Sequence, residues 1–155
     1  MYLQVVNEAP IQIALIRHSG PYEQLSPKFD ELWRWVEAYS VPVKRCIGIY
    51  WDNPEFVPPQ QLRSAACAEL PLGYIPEGLA GTKIELATLA GGEYAVTRFI
   101  GPYEQLGPVW SQFTNEIERN MRRTISENPA FEVYVNDAAT TPPQQLITDL
   151  YMPLA

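Results

Sequence analysis

Apolar residues along this chain follow two kinds of period, and each kind occurs twice. Leu25, Phe29, Leu32 and Val36 are spaced i, i+4, i+7 and i+11, which places them on one face of a helix. The same spacing returns 81 positions later in Leu106, Trp110, Phe113 and Ile117. Alternating stretches rich in Val, Ile and Tyr predict strands around each helix: residues 11–18, 45–51 and 62–69 about the first, and 94–99, 131–135 and 146–152 about the second. A further short strand is predicted to open each copy, at residues 2–6 and 83–88, the latter leading into a turn at Gly91-Gly92.

The repetition is literal as well as periodic. Gly20-Pro21-Tyr22-Glu23-Gln24-Leu25 recurs as Gly101-Pro102-Tyr103-Glu104-Gln105-Leu106, and Pro27 recurs as Pro108. Pro58-Pro59-Gln60-Gln61-Leu62 recurs 84 positions on as Pro142-Pro143-Gln144-Gln145-Leu146, so three extra residues fall between the two matches, after the second helix. Each Gly-Pro closes a strand, and Pro27 and Pro108 suit the first helical position, with Ser26 or Gly107 available as a cap.

These patterns predict an α+β fold of tandem duplicated strand-helix-strand-strand modules, with antiparallel sheets and a helix packed on each. One domain over residues 1–155 is expected, with a first repeat at about 1–73, a linker at about 74–81 and a second repeat at about 82–155. Either module alone leaves much apolar surface exposed. Packing the two about a pseudo-twofold axis covers it and leaves a cleft, the kind of place where ligand pockets form.

Composition narrows the function. With 46% hydrophobic and 19% charged residues in 155, the chain can bury a core without disulfides or metals. A net charge of −7 opposes binding to phosphate backbones, so direct nucleic-acid binding is not expected. An acidic surface can favour cationic ligands, although it more often serves solubility alone. The chain opens without a basic segment and apolar run and has no stretch of about 18 apolar residues, which predicts a cytoplasmic protein with no membrane partner. Cys46 and Cys67 lie 21 positions apart with no CxxC and read as reduced core residues. His18 is the only histidine and no GxSxG is present, so neither a zinc site nor a serine triad is expected, and no cofactor.

Differences between the copies point to candidate chemistry. Glu132 stands where the first copy has Gly48, Asp149 where it has Ala65, Tyr151 where it has Cys67, and Trp110 where it has Phe29; Tyr134 matches Tyr50. Period two puts Glu132 and Tyr134 on one face of their strand, and Asp149 and Tyr151 on one face of the next. If those faces coincide, a carboxylate-aromatic cluster results. A carboxylate amid rings either binds a cation, keeps its proton or meets an Arg; alternatively, Glu132 lies on the solvent face and pairs with a surface Arg. Trp110 reads as core or as a floor to the cleft, His18 as packing, and Tyr22 and Tyr103 as local contacts at their turns.

The segments LIRHSGPYEQL, IGIYWDNPE, PPQQLR, GGEYAVTRFIGPYEQLGPVW, FEVYVND and TDLYMPL, in that order, resemble the GyrI-like small-molecule-binding family over nearly the whole chain. That family includes the DNA gyrase inhibitory protein and the effector-binding domains of AraC-type and multidrug-sensing MerR-type regulators. The resemblance implies the tandem module fold and its cleft. It also implies that a glutamate in FEVY, with an acid and an aromatic in TDLY, receives lipophilic cations: here Glu132, Asp149 and Tyr151. The comparison of the copies adds Tyr134 and Trp110 to the expected ligand-binding set. Asp149 departs from the glutamate of many relatives. The repeats consume the chain, so no helix-turn-helix is expected. The function implied is capture of lipophilic aromatic, cationic compounds. One alternative is hydrolysis of cyclopropane-bearing genotoxic alkylators, with Glu132 and Tyr151 catalytic; a second is inhibition of DNA gyrase.

Overall fold

The computed structural model describes residues 1–155 as a mixed α/β chain of antiparallel strands and two helices. The strands are β1 (Leu3–Glu8), β2 (Ile11–Ser19), β3 (Cys46–Tyr50), β4 (Arg63–Glu69), β5 (Glu85–Leu89), β6 (Gly92–Ile100), β7 (Ala130–Tyr134) and β8 (Ile147–Pro153). The helices are α1 (Ser26–Ala38) and α2 (Leu106–Asn115). No helix is long and apolar enough to cross a membrane.

The chain divides into two compact units, an early one of Pro10–Ala90 and a late one of Met1–Ala9 with Gly91–Ala155. In the early unit the strand order is β3-β4-β2-β5, and in the late unit β1-β6-β8-β7, with every pairing antiparallel. The short opening strands therefore pair away from their chain neighbours. β1 joins β6, with Leu3 opposite Thr97 and Glu8 opposite Gly92, and β5 joins β2, with Ile11 opposite Leu89. The chain passes from one unit to the other at Ala9-Pro10 and again at Ala90-Gly91. Pro10 lacks an N–H and holds an extended approach, which suits a crossing better than a hairpin. Gly91-Gly92 is likewise a crossing point, since β5 does not pair with β6.

Each helix sits on its own unit's sheet along the predicted stripe. α1 buries Leu32, with Leu25 just before it, against Ala14 and Ile16 of β2 and Ala66 and Ala68 of β4; the small alanines let the helix approach closely. Trp35, off that stripe, is also core. α2 sets Leu106 and Phe113, and the π-helical turn after it sets Ile117, on Ala95, Leu150 and Met152. Each large apolar side chain covered in this way contributes roughly 1.5–3 kcal/mol.

Neither helix starts as the sequence suggested. A single 3-10 turn, Tyr22–Gln24 or Tyr103–Gln105, leads in, and Leu25 and Gln105 occupy the cap positions without a side-chain hydrogen bond. Ser26 lies inside α1, and Pro27 follows it in the first turn, where a missing N–H costs nothing. Ahead of these turns Gly20 and Gly101 adopt φ of 132° and 154°, and their N–H groups donate to Leu62 and Leu146 carbonyls. Only glycine takes that conformation without strain, and a Cβ on Gly101 would lie 2.7 Å from Phe99 Cζ. Past α2 the chain makes a π-helical turn, Glu116–Asn120, with no counterpart after α1. It falls in the stretch where the later copy carries its additional residues.

Candidate functional site

β7 buries three successive side chains, Phe131, Glu132 and Val133, and Glu132 is only 4% exposed. An isolated carboxylate at that depth would be prohibitively costly, so its partners matter. Trp110 Nε1–H, one helical turn beyond Leu106 on α2, donates to Glu132 Oε2 at 2.6 Å. The Tyr134 hydroxyl, two residues along the same strand and so on the same face, donates to Oε1 at 2.8 Å. Both oxygens thus accept from neutral donors, in bonds that an ionised acceptor strengthens. Tyr103, in the turn before α2, meets the Tyr134 ring edge-on at 5.5 Å, and Trp110 lies 5.9 Å from Phe113. Glu132 is therefore on the helix-covered face of its sheet and not in solvent, held by Trp110 and by Tyr134, whose ring Tyr103 backs.

Asp149 and Tyr151 do not join that group. Residues directly opposite across a ladder share a face, and here Glu132 is opposite Leu150, Val133 opposite Asp149 and Phe131 opposite Tyr151. Asp149 and Tyr151 consequently point to the other side of the sheet, and the expected cluster of both acids does not form. Asp149 takes a two-pronged contact from Arg98, its cross-strand neighbour on β6, with Nε and Nη2 at 2.8 and 3.0 Å from the two carboxylate oxygens. That hydrogen bonding raises the Arg98 pKa. Tyr151 stacks on Phe131 at 4.7 Å, and Tyr94 meets both rings edge-on.

The early unit carries the same frame without the acid. Gly48 takes the place of Glu132, while Tyr22 and Tyr50 pack edge-on at 4.8 Å as Tyr103 and Tyr134 do. Tyr22 makes no local cap: its hydroxyl donates to the Asp52 carbonyl at 2.6 Å and accepts the Asp52 N–H at 3.0 Å. Burial pushes that phenol's pKa up. The recurrence of the Tyr-Glu-Gln turn was the signal that could have placed Tyr103 beside Tyr134, since two matched tyrosines recur with it. Arg17, which corresponds to Arg98, finds Ala65 where Arg98 finds Asp149; it turns instead to Glu85 at 2.9 Å and over the Trp51 ring at 5.4 Å. His18 Nε2 makes a local contact with the Pro21 carbonyl, and Cys67 is a buried thiol whose pKa burial pushes up.

Two surface cavities, about 440 and 260 Å³, open in the early unit, the larger against Trp35, Tyr39 and Ile84 and the smaller against Tyr74 and Leu86. Neither includes any of the predicted site residues. Of the charged residues of the larger one, Arg34 is exposed and Glu31 half-buried, whereas Glu132 is buried.

The model of the GyrI-like small molecule binding domain matches residues 1–155. The chain belongs to this family. A DNA gyrase inhibitor of Cronobacter turicensis is 31% identical over 137 residues, covering 87% of this chain and 85% of that protein. Among solved structures, a hydrolase encoded by lin2189 from Listeria innocua superposes with a TM-score of 0.76 at 11% identity, over 99% of this chain and 91% of that one. The structure of SAV2435 bound to tetraphenylphosphonium superposes with a TM-score of 0.66 at 17% identity, over 100% of this chain and 94% of that one. At those identities the two structures show that the GyrI-like fold is shared.

Proposed function

We propose that this GyrI-like domain captures lipophilic aromatic cations on Glu132, with Trp110, Tyr134 and Tyr103 as the surrounding rings. The observation that carries the reading is a carboxylate only 4% exposed, set among aromatic side chains on the helix-covered face of its sheet. The bonds from Trp110 and Tyr134 fix both carboxylate oxygens beside these rings. In a desolvated place a cation gains from the acid and, at about 0.5–2 kcal/mol per contact, from the ring faces. Tetraphenylphosphonium, the ligand bound in the SAV2435 structure, supplies the first probe. A saturable titration of the purified chain with it tests the reading, and no binding at millimolar concentration would refute it.

Two further readings have specific support. Relatives named DNA gyrase inhibitor favour a protein partner, for which a net charge of −7 offers an acidic surface. Inhibition of supercoiling by the purified chain would establish that reading, and unimpaired supercoiling at excess protein would remove it. The fold shared with a hydrolase favours turnover at the same atoms, with Glu132 as base toward water and Tyr134 as hydrogen-bond donor. A ligand recovered intact after long incubation separates capture from hydrolysis.

A further inference from the structure

Buried hydroxyls normally find a partner, yet two in this chain have none. Ser64 Oγ and Thr148 Oγ1 are each fully buried and without a hydrogen bond. They occupy corresponding positions in the two copies, Thr148 opposite Tyr134 across the β7–β8 ladder and Ser64 opposite Tyr50 across the β3–β4 ladder. Cross-strand partners share a face, and neighbouring strands lie about 4.8 Å apart, so Thr148 sits beside Tyr134 on the side of the sheet that carries Glu132. On β6 its opposite neighbour is Phe99. A valine would fill the same space without a polar atom to satisfy. A hydroxyl there is available to a partner from outside the chain.

We infer that Thr148 is a ligand contact of the Glu132 site, selecting cations that also carry a hydrogen-bonding group. The inference rests on Glu132 being the cation acceptor. A threonine hydroxyl both donates and accepts, so it serves a ring amine, hydroxyl or carbonyl placed at the diagonal cross-strand separation from Glu132, about 7–8 Å. It gives nothing to a cation with none of these. The early unit supplies an internal control, because Ser64 is opposite Tyr50 as Thr148 is opposite Tyr134, with His18 as its other neighbour in place of Phe99, and Gly48 stands where the late unit has Glu132.

The test compares two probes on the full chain: ethidium, a planar cation bearing amino groups, and tetraphenylphosphonium, which has no hydrogen-bonding group. Thr148→Val weakens ethidium about tenfold and leaves tetraphenylphosphonium within about twofold. It melts no lower than the parent, having no internal bond to lose, and Ser64→Ala changes neither affinity. Unchanged ethidium binding, equal loss of both probes, or a Ser64→Ala effect matching that of Thr148→Val would overturn the inference, the last by showing a shared packing feature. Glu132→Gln separates the two levels. If it spares both affinities the cation site itself is wrong; if it weakens both while Thr148→Val does nothing, only the role of Thr148 falls.

Discussion

Asp149 stands across the β7–β8 ladder from Val133, one step out of register with Glu132. That single step sends these two acids to opposite faces of one sheet and gives them different chemistry. Glu132 accepts from an indole and a phenol under a helix, whereas Asp149 is matched to Arg98, with side chains 15% and 55% exposed respectively.

Asp149→Asn therefore leaves the affinity for tetraphenylphosphonium within about twofold of the parent. Its cost in stability is at most about 1 kcal/mol, since a partly exposed ion pair is well screened. Parallel titration and urea denaturation measure both. A loss of affinity comparable to that of a Glu132 substitution would return Asp149 to the binding site.

The Trp110–Glu132 bond is shielded and should be felt in stability. Trp110→Phe keeps a ring on the helix, as the first copy has with Phe29, but removes the N–H. Leaving a buried carboxylate oxygen short of a donor costs about 1.5–3 kcal/mol, read from urea midpoints at constant slope. Combined with Glu132→Gln, the two changes should couple by about 1 kcal/mol or more; simple additivity would mean that the bond contributes nothing.

Asp52 gives a dependence on pH. Arg63 donates to it from its backbone N–H, Nε and Nη2 at 2.8, 3.0 and 2.8 Å, and the side-chain bonds above all hold its pKa below the usual aspartate value. The folded chain therefore binds the proton less readily than the unfolded chain. This contribution is present above the unfolded value of about 3.9 and is lost as pH falls through the lower folded value. Denaturation midpoints of the parent and of Asp52→Asn should converge as pH is lowered from 5 toward about 2.5. A constant gap across that range would contradict the assignment.

Much of the fold was legible because it rests on local periods. The eight strands and both helices lie within a few residues of their predicted places, since alternation and the i, i+4, i+7 stripe act within one element. What stayed hidden depends on partners far along the chain. Nothing in residues 2–6 says that β1 will pair with β6, and nothing in FEVY or TDLY says that Glu132 will face Leu150. The comparison of copies found Glu132, Tyr134 and Trp110, which do meet, but it also gathered Asp149 and Tyr151, because period two leaves cross-strand register unspecified. Tyr103 was passed over for the opposite reason: it is common to both copies, and its ring contact with Tyr134 is visible only once the strand is placed under the turn.

The most direct measurement is a calorimetric titration of tetraphenylphosphonium into the parent and into Glu132→Gln, with melting curves to show that both are folded. The parent should bind saturably, and the variant, with the carboxylate replaced by an amide and the rings retained, at least about tenfold more weakly. Equal affinities in two folded proteins would mean that the cation does not lie on Glu132.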